Sequence, residues 1–166
     1  MKNGLLYSER LSSNRTLLLF VTLMIVFLLL ALWRRDVRGM DALAVTLFVF
    51  CGIFLFYSVN YRTLVIQLTA HTLKLKFGLF PWTVPLDNIA DCQLDELPKF
   101  LEYGGAGIHF FTIRNRYRAS FNFLEHPRVV VAFKKKRGLV HELSFSTRKP
   151  EEVLRLLKEN MQSLQE

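Results

Sequence analysis

LLLFVTLMIVFLLLALW (Leu17–Trp33) and ALAVTLFVFCGIFLFYSV (Ala42–Val59) carry no charge, and RRDVRGMD (Arg34–Asp41) separates them. As helices rising about 1.5 Å per residue, each run covers most of a hydrocarbon core about 30 Å thick. Thr22 is the one polar residue of the first run, and neither run has the polar stripe of a soluble amphipathic helix. A cleaved signal peptide is a rival reading, because Lys2, Arg10 and Arg15 precede the first run as an n-region would. That run is longer than an h-region of about 7 to 15 residues, and arginines follow it where a small-residue cleavage site would lie. The expectation is a transmembrane hairpin over residues 17–59, with spans 17–33 and 42–59. The short link permits only adjacent antiparallel helices, so both chain ends emerge on one side.

Basic residues near the span ends set the orientation. Lys2, Arg10 and Arg15 before the first span and Arg62, Lys74 and Lys76 after the second outnumber Arg34, Arg35 and Arg38 in the link. By the positive-inside rule the N- and C-termini are expected in the cytoplasm, with the chain a two-span protein of the cell membrane. Trp33, Tyr57 and Tyr61 fall where interfacial aromatic anchors belong.

Of the 166 residues about 60 go to this anchor, leaving roughly 100 for a single small core. The net charge of +8 divides into +3 before Tyr61 and +5 from there on. A basic domain held at a bilayer is drawn to anionic headgroups by about 1 kcal/mol per well-placed cation; the plain alternative is an ordinary solvated surface. The two cysteines, Cys51 in a span and Cys92 in the domain, imply no disulfide framework and suit a reducing compartment.

In chain order, residues 1–16 read as a polar tail, a frayed terminus whose Leu5, Leu6 and Tyr7 could otherwise lie along the membrane surface. After the hairpin the period becomes strand-like. Thr63–Thr69 and Thr72–Phe77 are β-rich, with Leu73, Leu75 and Phe77 on one face of the second and Lys74 and Lys76 on the other. Ala70-His71 makes the turn between them, Gly78 closes the second strand, and Trp82–Pro85 begins a third. Asp87, Asp91, Asp95, Glu96 and Glu102 then face Lys99 alone. Along a strand Asp91 and Asp95 would lie about 13 Å apart, too far to converge on a metal or a proton, so this segment reads as a solvated edge. Leu97–Ala106 reads as an ordered loop; its Gly104-Gly105-Ala106-Gly107 lacks the Lys-Ser/Thr and the following helix of a phosphate-cradling loop.

Further strands are expected at Ile108–Ile113, Tyr117–Phe123, Arg128–Phe133 and Leu139–Phe145, the last two forming a hairpin around Lys134-Lys135-Lys136-Arg137-Gly138. Lys134, Lys135, Lys136 and Arg137 are candidate contacts for anionic lipid or a partner, and equally a solvated hairpin tip. Arg114, Arg116 and Arg118 alternate beside Tyr117 as a second basic strip. Such interleaving also suits single-stranded nucleic acid, but a membrane anchor speaks against it, and no nucleic acid is expected. The chain closes with a helix over 150–162: Pro150 suits its first position, Glu151 and Glu152 its positive end, and Val153, Leu154, Leu157 and Met161 form a stripe.

Several short strands and one amphipathic C-terminal helix after a membrane anchor resemble the bacterial pleckstrin-homology-like (bPH) domains of small membrane proteins. The resemblance rests on Leu73-Lys74-Leu75-Lys76-Phe77-Gly78, on Val84-Pro85-Leu86-Asp87-Asn88-Ile89, on Tyr103-Gly104-Gly105-Ala106-Gly107-Ile108 and on Ser146-Thr147-Arg148-Lys149-Pro150-Glu151-Glu152. It spans Thr63 to about Met161. The segment from Phe110-Phe111 to Phe123 departs from it in being more aromatic, which points to a modified barrel end or a partner surface. The resemblance implies a mainly-β, antiparallel PH-like roll or barrel over residues 63–162, capped by the helix, with no enzymatic residues.

His71, His109, His126 and His141 show no metal-ligand spacing, and no nucleophile elbow, Walker or dinucleotide motif occurs. No catalytic, cofactor or metal residue is therefore expected. The reading that follows is a membrane-anchored, non-catalytic interaction module for a membrane-protein partner or a second copy of the chain. Recognition of anionic lipid headgroups is the alternative, and an enzyme of unrecognised type a third.

Overall fold

A computed structural model of the chain describes residues 4–95, 107–113, 115–123 and 125–164. The chain divides into a helical unit, Ser13–Arg62, and a β-rich unit made of residues 1–12 and 63–166.

In the helical unit, α1 (Asn14–Arg38) and α2 (Ala42–Asn60) are both long and apolar enough to cross a membrane, by length and composition. Each begins on a side-chain cap. Ser13 Oγ accepts from the Thr16 amide at 3.0 Å and Asp41 Oδ1 from the Ala44 amide at 2.9 Å, satisfying donors that a first turn leaves open. The first helix is longer than expected: Arg34, Arg35 and Arg38 continue it, and the eight-residue link shrinks to Gly39–Asp41. None of residues 34–38 is a helix breaker, so the helix runs on until Gly39, whose φ of 76° suits glycine and whose amide bonds Arg35 O at 2.8 Å. Arg34 Nε donates to Asp41 Oδ2 at 2.9 Å across the turn, and this guanidinium, with the Ala44 amide, holds the Asp41 carboxyl below its usual range. The helices run antiparallel along an aromatic seam. Phe20 meets Tyr57 and Tyr61, and one to two turns further Phe27 stacks on Phe54 and Phe50 at 5.4 and 5.2 Å.

Among the described residues the β-rich unit holds nine strands. Those of the first sheet are β1 (Leu5–Ser12), β2 (Thr63–Thr69), β3 (Thr72–Phe77) and β4 (Phe80–Pro85), in the order β1-β2-β3-β4. A 3-10 turn at Leu86–Asn88 leads to β5 (Ile89–Leu94), β6 (Gly107–Ile113), β7 (Arg116–Asn122), β8 (Arg128–Arg137) and β9 (Val140–Ser146), in the order β5-β8-β9-β7-β6. Helix α3 (Pro150–Ser163) closes the chain.

The N-terminal residues are not a frayed tail. β1 pairs antiparallel with β2 from Leu5↔Thr69 to Ser12↔Thr63, and it buries Tyr7 and Leu11. Its partner strand lies beyond the whole hairpin, so no local turn signal marks it. Across the sheet Leu64, Ile66, Leu68, Leu73, Leu75, Phe77 and Val84 point inward and are fully buried, as the alternation of β3 predicts.

The second sheet meets them through aromatic rings: Phe77 lies 6.2 Å from Phe121 and 5.0 Å from Phe123, and Trp82 lies 6.0 Å from Phe121. Its register sets Val129, Phe145, Phe121 and Ile108 in one row and Val131, Leu143, Ala119 and Phe110 in the next. The sheets are antiparallel except at β7 and β9, which pair in parallel. β9 inserts between β7 and β8, and Ser146 ties down the crossover: its Oγ accepts from the Phe123 amide at 2.9 Å and donates to Asn122 Oδ1 at 2.8 Å. Helix α3 packs on β5, β8 and the 3-10 turn. Val153 and Leu157 are buried there, whereas Leu154 and Met161 are only half-buried. Cys92 belongs to this core, where burial pushes its thiol above the usual range; Cys51 and Cys92 are both free.

Candidate functional site

Strand alternation puts the second sheet's polar residues on the face away from the core. There Val130, Ser144, Ser120 and His109 form one row, and Ala132, Glu142, Arg118 and Phe111 the next. This face is buried as well. Arg118, Ser120, Asn122, Arg128, Glu142, Ser144 and Ser146 are each less than a tenth exposed. Burying charge is costly unless it is paired and hydrogen-bonded, and here it is. Arg118 donates through Nε to Glu142 Oε2 at 2.8 Å, and its Nη1 lies 3.6 Å from Asp95 Oδ1. Arg128 Nε lies 3.3 Å from Asp95 Oδ2, and Arg116 Nη1 donates to Glu142 Oε1 at 3.1 Å. Among the described residues two carboxylates meet two guanidiniums in the interior, with Arg116, its side chain 61% exposed, at the rim.

This network corrects two expectations. Asp95 does not belong to a solvated edge: its side chain is 2% exposed, since the strand carries it under the two arginines. Arg116 and Arg118 do not form a free basic strip either, because both engage Glu142 on the adjacent strand. Arg114, the third member of that strip, lies outside the described residues, as do Glu96, Lys99, Glu102 and the loop expected at Leu97–Ala106. The signal available in the sequence was the spacing of Arg116, Arg118 and Glu142 on alternating strands, legible only once β7 and β9 are known to be neighbours.

Beside the network lies a groove of ≈ 380 Å³ lined by Asp91, Gln93, Arg116, His141 and Glu142 over Val130 and Ala132. Its carboxylate Glu142 already accepts from two arginines and its His141 Nδ1 from the Tyr117 amide at 3.4 Å. These bonds tie β7 to β9, and the groove's other carboxylate, Asp91, accepts from the Cys92 amide at 2.8 Å. Among the described residues no group of three His, Cys, Asp or Glu side chains is arranged to hold a metal ion.

Lys134, Lys135, Lys136 and Arg137 are exposed, as expected, but they are not a loose turn. They extend β8, and the turn itself is Gly138-Leu139. Asn88 grips Lys135 twice, Oδ1 accepting from its amide and Nδ2 donating to its carbonyl, both at 2.9 Å. Arg137 Nη1 donates to the Thr83 carbonyl on β4. The arginine thereby covers part of β4, which pairs with β3 alone among the described residues.

At the other extreme of the second sheet β6 pairs with β7 alone among the described residues. It carries Phe110, half exposed, stacked on Tyr117 at 6.2 Å and tilted against Trp82 at 6.4 Å. This is the aromatic segment that set the chain apart from the bPH pattern. Compared with known proteins, the chain matches no family model, no curated protein and no solved structure.

Proposed function

We propose that this chain is a two-span protein of the cell membrane whose β-rich unit is a PH-like, non-catalytic interaction module at the cytoplasmic surface. The observation that carries the partner reading is Phe110 on β6, half exposed beside Trp82 and Tyr117. An exposed aromatic set among other rings offers the apolar centre that protein interfaces favour. The occupant is a membrane-protein partner or a second copy of the chain. The anchor reading is supported by α1 and α2, and the pairing of β1 with β2 agrees with helix ends that open on one side of the bilayer. The charge count favours the cytoplasm for that side.

In the Lys134–Arg137 segment the Lys135 backbone is engaged by Asn88 and the Arg137 side chain by Thr83, which supports a lipid site less than four cations at a solvated hairpin tip would. The test is gentle purification of the full-length protein with and without Phe110→Asp, alongside Leu139→Asp as an exposed apolar control. A stoichiometric companion that survives raised salt, is lost with Phe110→Asp and is kept with Leu139→Asp supports the module. Salt-sensitive binding to anionic vesicles that vanishes when Lys134 to Arg137 are neutralised, with no companion, replaces it with lipid recognition.

A further inference from the structure

The β3–β4 turn is Gly78-Leu79, and Leu79 is 73% exposed, the most exposed large apolar side chain recorded among the described residues. Phe80 beside it is 41% exposed. Gly78 takes a φ of 52°, which presents the leucine at the very end of the sheet. That end is the one where the helices join. Ser12 pairs with Thr63, Leu64 pairs with Phe77, and the Gly78 amide donates to the Thr63 carbonyl at 3.4 Å. Only Ser13 stands between β1 and α1, and only Tyr61 and Arg62 stand between α2 and β2. Three Cα–Cα steps therefore separate Asn60 from Thr63, at most about 11 Å.

One row in from the tip, the register sets Arg10, Val65, Lys76 and Pro81 side by side, and the next row holds Ser8, Gln67, Lys74 and Thr83. Cations occur at these outward positions and acids do not. A leucine at a two-residue turn backed by cations matches a bilayer boundary, apolar below and anionic phosphate above.

We propose that the β3–β4 turn is a second point of attachment to the membrane: Leu79 sinks into the headgroup boundary of the bilayer that α1 and α2 cross, and Arg10 and Lys76 meet lipid phosphates. This rests on the reading of α1 and α2 as spans. The occupant is lipid because the turn lies at the end of the sheet from which the chain enters α1 and to which it returns from α2, with one and two residues between.

The test uses the full-length protein with Cys51→Ser and Cys92→Ala, spin-labelled at one introduced thiol and reconstituted into phosphatidylcholine vesicles containing phosphatidylglycerol. Leu79→Cys reads the turn. His71→Cys reads the opposite turn of the same sheet, and Leu29→Cys reads the middle of α1. The expected result is a label at position 79 that collides more with dissolved oxygen than with a water-soluble nickel chelate, the reverse at position 71, and the deepest signal at position 29. A label at 79 that behaves like the one at 71, with 29 in the bilayer, overturns the attachment and leaves the anchor standing. A label at 29 in water overturns both.

Discussion

Ser12 and Thr63 face each other as register partners at the end of β1 and β2, although all of Ser13–Arg62 lies between them in the chain. The helical hairpin is thus an insertion into a β-hairpin, and the β-rich unit is incomplete without the N-terminal strand. Replacing residues 13–62 by Asn-Gly, a pair that suits a two-residue β-turn, is predicted to give a water-soluble, cooperatively folded β domain. The fragment that begins at Thr63 lacks Tyr7 and Leu11 from its core and exposes the edge of β2. It is predicted to unfold at lower denaturant or to aggregate. Circular dichroism with urea titration compares the two; equal midpoints would show β1 to be dispensable.

Glu142 is the hub of the buried charges, so its removal leaves Arg118 without its closest partner. Breaking a buried ion pair typically costs about 3 to 5 kcal/mol. Glu142→Ala is predicted to fall in that range, and Arg118→Lys to be destabilising as well, because an ammonium cannot reproduce the guanidinium fork towards Glu142 and Asp95. Arg116→Ala, at an exposed rim, is predicted to cost about 1 kcal/mol or less. Urea midpoints of the domain carrying each change decide this, and a Glu142→Ala loss no larger than that of Arg116→Ala would count against the network.

Local pattern made much of this fold legible. Uncharged runs marked α1 and α2, strict alternation marked β3, and Pro150 followed by two glutamates marked α3, because each signal is written within one element. What pairs with what was hidden. The place of Leu5–Ser12 depends on Thr63–Thr69, and the parallel pairing of β7 with β9 depends on β9 inserting between β7 and β8, where Ser146 binds the Phe123 amide. The candidate site suffered for the same reason. Charges read one segment at a time look solvated, so Arg118, Arg128 and Asp95 gave no sign that they would be buried against one another. The lengthening of α1 from Trp33 to Arg38, more than a full turn, was missed because charge, not helix propensity, set the expected boundary.

Helix α3 docks through Val153 and Leu157, which are buried, with Leu154 and Met161 at the margin. Truncating a buried leucine costs about 2 to 5 kcal/mol depending on how far the site collapses. Leu157→Ala is predicted to lie in that range and Met161→Ala below it. The ordering of the two midpoints is the check: a larger loss at Met161 would mean that the helix is rotated from the docking described.

Tyr7 ties the pH response to β1. Burial, partly opposed by the Thr147 hydroxyl and reinforced by Glu9, pushes its phenol from 10.0 up to about 12. The hydroxyl donates to Glu9 Oε2 at 2.8 Å, and Glu9 in turn accepts from Thr147 Oγ1 at 2.6 Å and from the Arg148 amide at 3.0 Å, so strand and α3 approach are joined through it. Above pH 10 the unfolded chain releases this proton while the folded chain keeps it. The unfolded state then binds fewer protons, and stability falls as pH rises. The contribution is fully present below pH 10, declines between 10 and about 12, and is flat beyond. Tyr7→Phe removes the titrating group, so the difference in unfolding free energy between wild type and variant is predicted to shrink across that window. Measuring both by urea unfolding at stepped pH separates Tyr7 from the lysines, which titrate identically in the two proteins; a difference that stays constant through the window would mean that Tyr7 is not held protonated by the fold.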